Sequence, residues 1–266
     1  LVELIRQNYN HPSIICWGIQ NEVNTNPQFA SYGQEFNVST KTLSAFMKEL
    51  ASLAKKEDSS RFVVQAHIEE TEKLKESLNW TRNSDIDYTI WLNNIHFKNF
   101  LKELCIDYTG FNLYYGFKTE VKVADETGRE IIKDLYSNKI DSSCDLLGQD
   151  SIIISEYGAG GNIDQHATIN SDFSWSGNDT AIKEHPEEYQ SYVLESAYDA
   201  ISKKDNVWVA FVWNMFDFSS YRNSGKERTN NKGLVCYDHK TRKDSFYFYK
   251  ANWNKNDKFV YITSRR

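Results

Sequence analysis

Two apolar stretches of this 266-residue sequence finish on a glutamate: "IICWGIQNE" at 14–22 and "IIISE" at 152–156. A buried run normally stops at Gly, Pro or Asp, which suit a turn. A carboxylate in that place, set beside the amide of Asn21 in the first run, asks for a chemical reason. Glycoside hydrolysis uses two carboxyl groups flanking one bond: one protonates the leaving oxygen, and the other attacks the anomeric carbon or activates water. Glu22 and Glu156 are the candidates. Asn21 is then placed to donate to a sugar 2-hydroxyl, a contact that strengthens in an oxocarbenium-like transition state. His67, Asn112, Tyr114 and Trp213 also lie at the ends of apolar runs. Tyr114 could hold a carboxylate nucleophile ionised by donating to it, and Trp213 could floor a sugar site. Taken alone, Tyr114 and Trp213 read as core; the glutamate pair tips the balance.

The elements that must deliver these residues are short apolar runs at 13–19, 61–67, 108–115, 151–158 and 207–216. They do not alternate polar with apolar residues, as expected of parallel strands covered on both faces. Helical patterns lie between them. In 39–58, Leu43, Phe46, Met47, Leu50, Leu53 and Ala54 follow the helical period; in 185–205, Pro186 suits the first helical position. Tyr189, Tyr192, Val193, Ala197, Ala200 and Ile201 form the buried stripe of the second helix. Strands alternating with helices imply a parallel α/β architecture. An open doubly wound sheet would carry a glycine-rich phosphate turn, and "YGAGG" at 157–161 is neither a dinucleotide fingerprint nor a P-loop. A (β/α)8 TIM barrel instead gathers its chemistry at the C-terminal ends of successive strands. The barrel is preferred, with five of its eight strands in view. Residues 217–231 read as a long loop above the last strand, 239–244 ("HKTRKD") as a solvated basic face, and 258–264 as a strand with nothing after it to pair with.

Composition narrows the function classes. Hydrophobic residues make up 40% of the chain, enough for a substantial core in a soluble globular protein. The net charge of -6, with no basic cluster interleaved with aromatics, argues against nucleic acid or an anionic membrane as partner. Cys16, Cys105, Cys144 and Cys236 are far apart and form no C-x-x-C pair, so a structural zinc site and a disulfide framework are disfavoured. They read as free thiols, mostly buried. No apolar run is long enough to span a bilayer, and no signal peptide heads the chain. The sequence opens at Leu1 inside an apparent helix, as if cut from something longer, so a cytoplasmic and a periplasmic location stay equally open. Aromatics reach 14%, with 7 Trp and 16 Tyr, a composition that suits stacking against pyranose faces.

The segments "RQNYNHPSIICWGIQNE" (6–22), "FNLYYGF" (111–117), "IIISEYGAGG" (152–161), "HPEEYQ" (185–190), "FVWNMFDFSS" (211–220) and "NKGLVCYDHKTRKDSFYFYKANW" (231–253), in this order, resemble the catalytic domain of glycoside hydrolase family 2, specifically its β-galactosidases. The resemblance implies that Glu22 is the general acid/base and Glu156 the nucleophile of a retaining double displacement. Two carboxyl groups about 5 to 5.5 Å apart would accompany that mechanism. It further implies that Asn21 binds the 2-hydroxyl, Tyr114 contacts the nucleophile, Trp213 lines the sugar subsite and His11 is structural. The implied substrate is a terminal non-reducing β-D-galactose residue on a β-galactoside or oligosaccharide, and a homo-oligomer is left open.

Two alternatives stand beside it: a β-glucuronidase of the same family, and a non-catalytic carbohydrate-binding fragment. "NNKG" at 230–233 resembles the Asn-x-Lys arrangement that engages the sugar carboxylate in family β-glucuronidases, with Lys232 supplying the charge. "HPEEYQ" and "DSFYFYKANW" lean to galactosidases. Barrel strands four to eight with their helices are expected over 1–255, and 256–266 as the start of a following β-domain or a tail. No cofactor is certain; magnesium or sodium in the intact enzyme would be held through residues upstream of Leu1. The isolated chain, with two open sheet edges, is expected to be weakly active or inactive.

Overall fold

The computed structural model describes residues 1–22, 40–68, 105–116, 124–147, 149–166, 186–220 and 229–262. In chain order the elements are α1 (Val2–Asn8), β1 (Cys16–Asn21), α2 (Thr40–Glu57), β2 (Phe62–Ile68), β3 (Tyr108–Leu113), α3 (Glu126–Leu147), β4 (Ile152–Tyr157), α4 (Glu187–Ile201), β5 (Val207–Val212), β6 (Phe218–Ser219), β7 (Thr229–Asn230) and α5 (Asp244–Trp253). The five longer strands form one sheet in chain order, β1-β2-β3-β4-β5. With β1 and β2, and β2 and β3, paired in parallel, this is the strand order of part of a (β/α)8 barrel. β6 and β7 make a short antiparallel ribbon inside the stretch read as a loop, pairing Phe218 with Asn230 and Ser219 with Thr229.

Contacts divide the chain into two units: Leu1–Asn112 with Asp141–Ser155, and Leu113–Ile140 with Glu156–Arg266. In the first unit, β1 follows β2 in register from Cys16 opposite Phe62 to Gly18 opposite Val64, then shifts so that Asn21 stands opposite Ala66. The opposite end of the strands is fastened by Asp58 and Arg61. Asp58 accepts from the Trp17 indole at 3.0 Å and from Arg61 at 2.5 Å. Arg61 also donates to the carbonyls of Ile14, Tyr9 and His11. Burial by itself would raise the Asp58 carboxyl, yet the hydrogen bonds from Ser60, Arg61 and Trp17 outweigh it and hold the group well below the usual carboxylate range.

Helix α2 packs on β1 and β2 through Met47, Ala51 and Ala54, all buried. Phe46, expected on that stripe, is 55% exposed, Leu50 and Leu53 are half-buried, and the side chain of Leu43 lies outside the described residues. Met47 and Ala54 of the expected stripe are buried, and Ala51, too small to stand out in the apolar pattern, joins them.

In the second unit, every residue expected in the α4 stripe is buried, and so are Glu187, Gln190, Ser191, Leu194 and Ser196. Burial of Gln190 is tolerable because its amide is paired: it donates to the carbonyls of Ala159 and Gly233 and accepts from Ser245. Glu187 accepts from the Asp244 N–H at the start of α5, and burial raises its carboxyl above the usual range. Pro186 is the N-cap of α4, one position before the helix proper. The Tyr249 hydroxyl of α5 donates to that of Tyr157 at 3.1 Å. None of the four cysteines is in a disulfide, but only Cys144 is buried; Cys16 and Cys236 are half-buried and Cys105 is exposed. Residues 258–262 form no strand. Among the described residues no helix is long and apolar enough to cross a membrane.

Candidate active site

In the first unit, β1 delivers Asn21 as its last residue and Glu22 immediately after it. The Glu22 backbone takes φ +53°, and its N–H donates to the Ala66 carbonyl at 3.0 Å. A non-glycine residue in this left-handed region costs on the order of 1 kcal/mol or more, and such outliers concentrate at functional positions. Asn112, near the end of β3 and 1% exposed, donates from Nδ2 to Asn21 Oδ1 at 2.9 Å and to Glu22 Oε1 at 2.7 Å. Its Oδ1 accepts from Ser155 Oγ at 2.7 Å. Gly110 makes room for this arrangement: a Cβ there would lie 2.8 Å from the Ser155 side chain. His67, on β2, is buried with its ring against Phe111. Burial lowers its pKa to about 4, so the imidazole is neutral near physiological pH.

In the second unit, Glu156 sits near the end of β4, and Tyr114, the first residue after β3, donates its hydroxyl to Glu156 Oε2 at 2.5 Å. The Lys232 ammonium stands 5.9 Å from the centre of the Tyr114 ring. Its loop is shaped by two bonds, one from the Lys232 N–H to Asn230 Oδ1 and one from the Asn214 N–H to the Lys232 carbonyl. Trp213 follows β5 directly; its N–H donates to the Tyr157 carbonyl at 2.8 Å, its ring meets Phe218 edge-on, and the Trp213–Asn214 peptide is cis. The chain at Gly158 runs so close that a Cβ there would lie 2.2 Å from the Trp213 carbonyl oxygen.

Lys243 corrects the reading of 239–244 as a solvated face. It is fully buried, and Nζ donates to Gly161 O at 2.7 Å, Asp217 Oδ1 at 2.8 Å and Asn231 O at 2.9 Å. Asp217 Oδ1 also accepts from the Gly233 N–H. Burial pushes the Asp217 carboxyl up while Lys243 pulls it back. One ammonium thus ties the loop that carries Lys232 to the segment that follows Glu156. The sequence holds no signal for this, since Asp217 lies 26 residues away and a lysine beside Arg242 and Lys240 looks solvated.

The sequence-derived residues therefore fall into two hydrogen-bonded or stacked groups, Asn21–Glu22–Asn112 in one unit and Tyr114–Glu156–Lys232 in the other. Trp213 is fastened by its backbone to the residue after Glu156, and His67 packs on Phe111. Ser155 and Lys243 were not anticipated. Among the described residues no group of three or more His, Cys, Asp or Glu side chains is placed to hold a metal ion.

Parallel strands in chain order that carry an Asn-Glu pair and a tyrosine-held glutamate at their C-terminal ends have the plan of a barrel-type domain. The chain belongs to the glycosyl hydrolases family 2, whose TIM barrel domain matches residues 1–257. It is 33% identical to a β-glucuronidase of Bacteroides fragilis over the whole of this chain and 30% of that protein. Among solved structures it resembles an FMN-binding β-glucuronidase from Faecalibacterium prausnitzii L2-6, with a TM-score of 0.63 and 28% identity over 96% of this chain and 31% of that one. A putative β-galactosidase from Bacteroides fragilis gives the same TM-score at 26% identity, over 96% and 30% of the two chains. The chain thus spans about a third or less of the length of these relatives.

Proposed function

We propose that this chain carries the catalytic carboxylates of a retaining β-glucuronidase, a hydrolase that releases terminal β-D-glucuronic acid. This reverses the order in which the sequence ranked the sugars, with galactosides first. The observation that carries the reversal is the Lys232 ammonium beside the Tyr114 ring, while the Tyr114 hydroxyl is bonded to Glu156. A cation that shares a tyrosine with the proposed nucleophile suits a sugar that bears its own carboxylate, and the identity to a β-glucuronidase along the full chain agrees with it.

In this mechanism the Glu156 carboxylate attacks the anomeric carbon as the bond to the leaving oxygen breaks, and Glu22 supplies the proton that oxygen needs. Water then attacks the glycosyl-enzyme, Glu22 takes its proton, and Glu156 leaves as carboxylate. Tyr114 holds Glu156 ionised and aimed. Asn21 donates to the 2-hydroxyl, Asn112 orients the Asn21–Glu22 pair, Trp213 lines the sugar, and His67 offers a neutral imidazole. Lys232 pairs with the sugar carboxylate.

Assaying the full-length protein on 4-nitrophenyl β-D-glucuronide and β-D-galactoside tests this. The glucuronide should be preferred, and Glu156→Gln should lower kcat by about a thousandfold or more. Lys232→Ala should cost about a hundredfold on the glucuronide, the size of a lost charge-assisted contact, and little on the galactoside. A galactoside preference that ignores Lys232→Ala would restore the galactosidase reading.

A further inference from the structure

The geometry points to Ser155 as a positioning residue that anchors Asn112 and, through it, Asn21. The inference rests on the glycosidase reading above and adds a residue to it.

The Asn112 side chain has two faces. One meets two oxygens, Asn21 Oδ1 and Glu22 Oε1, at 2.9 and 2.7 Å, and only an NH2 group can satisfy both. The other meets Ser155 Oγ at 2.7 Å, where the amide oxygen accepts the hydroxyl proton. Donation therefore runs one way, from Ser155 to Asn112 and from Asn112 to Asn21 and Glu22. With its own Oδ1 engaged by Asn112, Asn21 presents Nδ2 to the ligand side, the polarity needed to donate to a 2-hydroxyl. Without the Ser155 hydroxyl, the Asn112 amide oxygen loses this donor in a buried setting, and the side chain loses the anchor that holds its NH2 group against Asn21 Oδ1 and Glu22 Oε1. Ser155 is held to this task by the space at Gly110, where a Cβ would meet both Ser155 Cβ and Oγ at 2.8 Å. Burial of Asn112 keeps water from substituting for the lost donor.

The test is kcat/KM of the full-length protein and of its Ser155→Ala and Ser155→Thr variants on 4-nitrophenyl β-D-glucuronide and on its 2-deoxy analogue. Ser155→Ala should lose about tenfold on the first substrate, one well-placed hydrogen bond, and only roughly twofold on the analogue, where Asn21 has nothing to bind. Ser155→Thr, which keeps the hydroxyl, should recover most of the loss. An equal loss on both substrates, or no recovery with threonine, overturns the assignment. Should the wild-type protein cleave neither substrate nor a galactoside, the glycosidase reading has failed, and the relay is read instead from urea unfolding of Ser155→Ala, Asn112→Ala and the double variant: additive losses overturn it, and coupled losses support it.

Discussion

At the scale of single residues, the catalytic candidates stand out in the sequence because their chemistry conflicts with their setting: Glu22 and Glu156 close apolar runs that have no structural use for a carboxylate. Residues that work through another residue leave no such mark. Ser155 looks like any small strand residue until Asn112 is seen beside it, and Lys243 looks solvated until Asp217 and two carbonyls surround it. His67 carries a prediction at this scale. An unfolded histidine titrates near 6.5, whereas burial holds His67 to about 4. Between those values the unfolded chain binds a proton that the folded chain does not, so stability is complete above the window and falls as pH drops through it, by at most about 1.4 kcal/mol per pH unit. Urea unfolding of the wild type and of His67→Gln from pH 7 to 4 should show the shallower pH dependence in the variant; identical slopes would mean that His67 is protonated in the fold.

At the scale of elements, the five parallel strands were legible because their apolar runs lack polar alternation, although burial along most of the strand holds for β3 and β4 while β5 leaves Trp208 and Phe211 exposed. Helix α4 was legible from its apolar stripe, while its buried Gln190 and Glu187 were not, since their partners come from other segments. Helix α3 went unread although Ile132, Tyr136 and Ile140 recur at four-residue spacing and are all buried; charged and small residues between them dilute the stripe. Helix α5 went unread because Phe246, Tyr247, Phe248 and Tyr249 in succession carry no helical period. The junction after β4 yields a prediction. A methyl group at Gly158 would meet the Trp213 carbonyl oxygen at 2.2 Å, so the backbone at one strand end or the other must move. Gly158→Ala should cost about 1–3 kcal/mol in stability, as overpacking does, and should lower kcat/KM beyond what thermal unfolding accounts for, since Glu156 and Trp213 flank the clash. A variant with unchanged melting temperature and activity would show that the junction yields freely.

At the scale of the whole molecule, these residues are about 30% of the length of the related β-glucuronidase. Expressed alone, the 266 residues are expected to hydrolyse 4-nitrophenyl β-D-glucuronide at a small fraction of the rate of the full-length protein, and where turnover is seen, proton NMR of the first-formed product should show the β-anomer. Formation of the α-anomer would exclude a double displacement through Glu156.

Lys243 has a consequence for the order in which the molecule comes to life. The three acceptors of its ammonium, at Gly161, Asp217 and Asn231, all precede it in the chain. During synthesis, Glu156 and Lys232 leave the ribosome before the residue that ties the segments next to them together. A nascent chain can therefore hold both candidate glutamates and Lys232 before these segments are fastened, and the loop around Lys232 is fixed only once the lysine at the head of α5 has emerged and been buried.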